Sequence, residues 1–98
     1  MKRKLISICI TSFNRPKELR RCLESIKTKY EEKIEVVISE DLSSKREEIR
    51  QEIEEFKCET GILVRSNYNS VNLGYDRNLE TLISLAQGDY ILFVSDDD

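Results

Sequence analysis

The chain has 98 residues, 39% of them hydrophobic and 36% charged, with 16 basic and 19 acidic side chains and a net charge of −3. That length supports one compact domain at most, burying about 60–65% of its unfolded surface, and the apolar content excludes a disordered chain. The mild acidity argues against nucleic acid as a partner, and no apolar run is long enough to span a membrane or act as a signal peptide. With no histidine, a zinc site and the Ser–His and Cys–His catalytic schemes drop out. Cys9, Cys22 and Cys58 are odd in number and lack metal-like spacing. They read as reduced thiols of a cytosolic chain, Cys9 and Cys22 packed as small hydrophobes.

In chain order, the β-branched run LISICITSF predicts a first strand, ending in the polar turn TSFNRP with Pro16 as the first residue of a helix. Leu19, Cys22, Leu23 and Ile26 recur at i, i+3, i+4 and i+7, which is one buried helix face. IEVVISED predicts a second strand over Ile34–Ser39, followed by a second, highly charged helix with the apolar stripe Ile49, Ile53 and Phe56. Ser44 and Glu47 fit a capping box at its start. GILVRSN predicts a short third strand. NSVNLGYDRN is a loop opening a third helix, with Leu79, Leu82, Ile83 and Ala86 on one face and Gly88 at a left-handed C-terminus. DYILFVS predicts a fourth strand, apolar on both faces as in a buried parallel sheet.

Strand–helix alternation throughout predicts an α/β fold: a three-layer αβα arrangement with a mostly parallel, Rossmann-like sheet of about four strands and three helices. In such sheets ligands collect beyond the carboxyl ends of the strands. Those ends carry Thr11-Ser12-Phe13-Asn14-Arg15, Glu40-Asp41, Ser66-Asn67 and Asp96-Asp97-Asp98. The first strand–helix turn has no glycine, which excludes a dinucleotide fingerprint and a P-loop. Adjacent carboxylates repel by roughly 4 kcal/mol at 4 Å and an effective dielectric near 20. A bound Mg²⁺ or Mn²⁺ relieves that repulsion, since hard divalent ions take carboxylate oxygens and share the rest of their shell with water and phosphate. A solvated acidic end is the alternative.

ISICITSFNRPKELRRCLESI, VVISEDLSS and NLGYDRNLETLISLAQGDYILFVSDDD together resemble the N-terminal half of a family 2 glycosyltransferase of the GT-A fold, in the version typical of bacterial transferases that build surface polysaccharides. The resemblance covers nearly the whole chain. It implies a nucleoside diphosphate sugar donor of UDP or GDP type, with Thr11, Ser12, Phe13 and Arg15 flanking the base and ribose. Asp41 would accept a hydrogen bond from the base, and Arg77 would reach the nucleotide. The acidic triplet matches the family's DxD-type motif, with Asp97 as main metal ligand, Asp96 at the ribose or metal, and Asp98 beside them. Three departures stand out: Thr11 replaces a usual proline, and Glu40 and Leu42 replace the Asp and Gly of the usual Asp-Asp-Gly-Ser turn.

The implied reaction moves a sugar from the nucleoside diphosphate to an acceptor hydroxyl, typically with inversion, the metal stabilising charge on the leaving diphosphate. Residues 1–98 then read as the donor-binding part, ending just after the DxD-type motif, without a catalytic base and inactive alone. The expected location is the cytoplasm, at the inner membrane face for the full-length protein. Self-association through an uncovered sheet edge is a further expectation. Two other classes remain open: a small α/β interaction module whose acidic end is solvated, and a nucleotidyltransferase, which would prefer triphosphates.

Overall fold

The computed structural model describes residues 4–26 and 31–95. β1 (Ile6–Ser12), β2 (Ile34–Glu40), β3 (Leu63–Tyr68) and β4 (Tyr90–Ser95) alternate with α1 (Pro16–Ile26), α2 (Arg46–Glu59) and α3 (Tyr75–Leu85). The strands form one parallel sheet in the order β3-β2-β1-β4. The register pairs Ile10 with Ile38 on one side and Val94 on the other.

Side-chain alternation along the strands builds the layers. Ile8, Ile10, Ile34, Val36, Ile38 and Val64 face α1 and α2, and meet Leu19, Leu23, Ile49, Ile53 and Phe56. Cys9 and Val37 face the other way, against Leu82 with Leu79, Leu85 and Ala86 of α3. The predicted three-layer fold is therefore present, with every strand pair parallel. Each fully buried side chain, such as Phe56 or Ile53, contributes about 1.5–3 kcal/mol. All seven residues of β2 are buried, which marks it as the centre of the core. Cys9 and Cys22 are buried free thiols, as expected, and Cys58 is exposed. Burial and the nearby Glu35 carboxylate push the Cys9 thiol up to about 11, so it is not a nucleophile at neutral pH.

Because α3 crosses on the face opposite α1 and α2, the chain reverses its direction of travel across the sheet between β1 and β4. That reversal opens a crevice at the carboxyl ends of these two strands, the usual ligand position in open α/β sheets.

Four local expectations differ from the structure. Strand β4 is not buried: Tyr90, Ile91, Leu92 and Phe93 are all exposed, because β4 lies at the end of the strand order and the described helices pack over β1, β2 and β3. Ile83 is half exposed, and the third-helix face it was expected to share is completed instead by Asn78, which is buried. The Ser44–Glu47 capping box does not form. Helix α2 starts one residue later, after Lys45, with no side-chain cap, and Ser44 instead donates through both its amide and its hydroxyl to Asn14 Oδ1 (3.1 Å each). Gly88 is not left-handed, and α3 ends through an extended Ala86. A Cβ on Gly88 would sit 2.8 Å from Ser7 N and 2.9 Å from the Ile6 carbonyl carbon, so close backbone approach is what requires glycine there.

Candidate functional site

A cleft of about 440 Å³ opens at the carboxyl ends of β1 and β4. The β1–α1 turn supplies Thr11, Ser12, Phe13 and Arg15, the end of β2 supplies Asp41, and β4 supplies Ser95. The opposite wall comes from the loop before α3 and its first turn: Asn72, Gly74, Tyr75 and Asn78. Five of the residues singled out in the sequence are thus brought together. Phe13 is 44% exposed, so it is a cleft wall and not a core residue at the helix start. Ser12 Oγ is buried with no hydrogen-bond partner among the described residues. Arg77 lies on the exposed side of α3's first turn and does not line the cleft. Asp96, Asp97 and Asp98 lie outside the described residues.

The β1–α1 turn is shaped by Asn14, which takes φ 58°. Asparagine tolerates that left-handed conformation, and its side-chain oxygen ties the turn to Ser44 across the mouth of the second strand–helix loop. Leu42 takes φ 56°, the conformation for which the family's usual glycine is suited.

Asp41 organises the other wall. Its Oδ1 accepts from Leu73 N (2.8 Å) and Asn69 Nδ2 (2.9 Å), and its Oδ2 accepts from Gly74 N (2.9 Å). Asn72 Nδ2 donates to the Asp41 carbonyl (2.9 Å). Gly74, at φ 87°, makes the sharp entry into α3. Behind it, Asn69 Nδ2 also donates to Asn78 Oδ1 (2.9 Å), and Asn78 Nδ2 donates to the Ser39 carbonyl (3.0 Å). The loop before α3 is therefore fixed by a connected polar network. Among the described residues Asp41 Oδ2 accepts one bond, from Gly74 N, and a carboxylate oxygen has capacity for a second.

Glu40 is fully buried and turned away from the cleft. It accepts from Leu42 N (3.0 Å), Ser43 N (2.7 Å) and Arg46 Nε (2.6 Å), so it holds the start of α2. Burial pushes its carboxyl up, but the hydrogen bonds from Ser43 and the Arg46 guanidinium outweigh that and hold it below the usual carboxylate range. Arg46 also donates to the Asn69 carbonyl, and Arg50 stacks 4.1 Å from the Tyr68 ring centre.

Sequence reasoning missed Asn69, Asn72, Gly74, Tyr75 and Ser95 as parts of this site. Tyr75 had a signal: it lies four residues before Leu79 and seven before Leu82, on the apolar stripe of α3. Asn69 had none, because its role depends on a contact 28 residues away. Among the described residues there is no cluster of three metal-ligating side chains, and no helix is long and apolar enough to cross a membrane.

Residues 7–98 match the family model "Glycosyl transferase family 2". Over 96 residues the chain is 41% identical to the abequosyltransferase RfbV of Salmonella typhimurium, covering 95% of this chain and 28% of that protein. The fold resembles the mannosyltransferase PcManGT of Pyrobaculum calidifontis, solved with GDP-Man and Mn²⁺ (TM-score 0.84, 15% identity, 99% of this chain and 28% of that one). It also resembles TarS of S. aureus (TM-score 0.82, 21% identity, 95% of this chain and 16% of that one). A shorter form of TarS, residues 1–349, solved with UDP, gives a TM-score of 0.80 at 19% identity, over 95% of this chain and 27% of that one. The chain thus spans less than a third of the length of each of these relatives.

Proposed function

Because the chain belongs to glycosyl transferase family 2, we propose that it is the donor-binding part of an enzyme that transfers a sugar from a nucleoside diphosphate to an acceptor hydroxyl, with inversion. The observation that carries this is the cleft at the β1/β4 switch point, walled by Phe13, Arg15 and Asp41 and entered by the end of β4 at Ser95. Solved proteins of this fold bind GDP-Man with Mn²⁺, and UDP.

In this reading Asp41 Oδ2 takes a base N–H on its remaining acceptor position, while its other bonds keep the carboxylate aimed. Phe13 offers an apolar face to the nucleoside, and Arg15 neutralises charge at the cleft mouth. Asp97, with Asp96 and Asp98 beside it, would hold Mg²⁺ or Mn²⁺: hard carboxylate oxygens directly after Ser95, which lines the cleft. When bound, such an ion neutralises charge on the leaving diphosphate. Neither Glu40 nor Asp41 is a candidate base, since the first holds α2 and the second holds the loop before α3. The acceptor base is therefore expected from outside these 98 residues, and the chain alone is expected to bind donor without turning it over.

Calorimetric titration of UDP and GDP, with and without Mn²⁺, tests this. The expected result is metal-dependent binding that the double variant Asp96→Ala/Asp97→Ala loses. Sugar transfer or nucleotide hydrolysis by the chain itself would contradict the division of labour, and binding indifferent to the double variant would remove the metal role. Self-association belongs to the same reading: β4 exposes Leu92 and Phe93 and has β1 as its one described neighbour, which makes it a pairing template. Light scattering is expected to show concentration-dependent growth that Leu92→Lys reduces, and a monodisperse monomer at high concentration would count against it.

A further inference from the structure

On the footing that the cleft is a donor site, we infer that Tyr75 is a second aromatic contact for the nucleoside, fixing donor affinity through its ring. Residues 75, 79, 82 and 86 share the face of α3 that packs on the sheet. Leu82 is fully buried and Leu79 and Ala86 partly so. Tyr75 continues this stripe by one turn, but there the sheet has ended, and the residue is 66% exposed. The apolar stripe therefore runs past its own core and into the cleft, leaving a large ring uncovered in water. Its hydroxyl makes no hydrogen bond among the described residues, so no polar role within the fold accounts for it.

The backbone that carries the ring is fixed despite the ring's exposure. Asp41 clamps the amides of Leu73 and Gly74 immediately before it, and Asn78 N donates to the Gly74 carbonyl (3.0 Å). A ligand meeting Tyr75 has little backbone ordering left to do, which favours affinity. Tyr75 also lines a smaller neighbouring cleft of about 190 Å³ with Thr11, Leu79, Phe93 and Ser95. With Thr11 and Ser95 it forms the ridge between the two cavities, one residue from the amide held by Asp41. A planar, partly apolar ligand is what an uncovered aromatic beside a polar floor suits: stacking on a nucleoside supplies the missing cover, and is worth roughly tenfold or more in affinity when the ring is removed.

The chain contains no tryptophan, so Tyr75→Trp places a single fluorescent reporter at the ridge. Titrating UDP and GDP with Mn²⁺ into the wild type, Tyr75→Ala, Tyr75→Phe and Tyr75→Trp separates the possibilities, with thermal unfolding as a check that each variant folds. The expected outcome is roughly tenfold weaker binding for Tyr75→Ala at unchanged melting temperature, near-wild-type binding for Tyr75→Phe, and nucleotide-dependent quenching of Tyr75→Trp. Wild-type affinity in Tyr75→Ala would overturn this inference alone and leave the donor site standing. Equal losses in Tyr75→Ala and Tyr75→Phe would overturn the ring as the contact in favour of the hydroxyl. Failure of the wild type to bind either nucleotide would overturn the donor site and this inference with it.

Discussion

Strand β2 has a buried carboxylate at each end of it, and each one holds an end of helix α3. At the amino end, Glu35 Oε2 accepts from Gln87 N (2.7 Å) and Ser7 Oγ (2.6 Å), while Gly88 N donates to the same Ser7 hydroxyl (2.8 Å). Glu35 Oε1 accepts from Arg65 Nε (2.7 Å). At the carboxyl end, Asp41 holds Leu73 and Gly74 through their amides. The chemistry is the same, but the outcome differs. Glu35 is closed in, paired with a cation and fully buried. Among the described residues Asp41 has no cationic partner in its network, and it faces an open cleft. One end of α3 is therefore pinned by a closed, charge-paired carboxylate, and the other by a carboxylate that keeps acceptor capacity toward the cleft.

The largest effect is expected at the closed end. Glu35→Ala strands Arg65, the Ser7 hydroxyl and the Gln87 amide, and is expected to cost about 3–5 kcal/mol in urea unfolding, with little specific effect on the cleft beyond that instability. At the open end, Asp41→Asn is expected to cost about 1–2 kcal/mol, because an amide group cannot accept from all three donors, and also to weaken nucleotide binding in calorimetry. A variant pair that lost binding and stability in the same proportion would erase the distinction between the two ends.

The closed carboxylates also make stability depend on pH. Burial pushes the Glu35 carboxyl up, but the bonds from Ser7, Gln87 N and Arg65 outweigh burial and hold it below the usual carboxylate range. Glu40 behaves alike. Both are lowered in the folded chain, so their stabilisation is present above the unfolded carboxyl value of about 4.3 and is lost as pH falls through the folded values. Unfolding monitored from pH 6 to pH 3 is expected to show a steep acid loss that Glu35→Gln flattens. The smallest expected change is a gain: Leu42→Gly relieves a left-handed leucine at an exposed position and should stabilise by about 0.5–1 kcal/mol.

The element order, the stripes of α1 and α2 and the carboxyl-edge location of Thr11, Ser12, Phe13, Arg15 and Asp41 were legible in the amino-acid sequence, and the α3 stripe was legible except for Ile83 and Asn78. Those are local or periodic properties: β-branched runs, i/i+3/i+4 spacing, a proline at a helix start. What the tertiary structure alone decided was which polar groups meet across the sheet. Glu35 and Arg65 are 30 residues apart, and Asp41 and Gly74 33 apart, so no window of sequence displays either pairing. The exposure of β4 was likewise a matter of strand order, since apolar composition describes a strand but not its place in the sheet. Gly88 shows the same at the scale of one atom: the Ser7 backbone, from a strand 81 residues earlier, would lie 2.8 Å from an added Cβ.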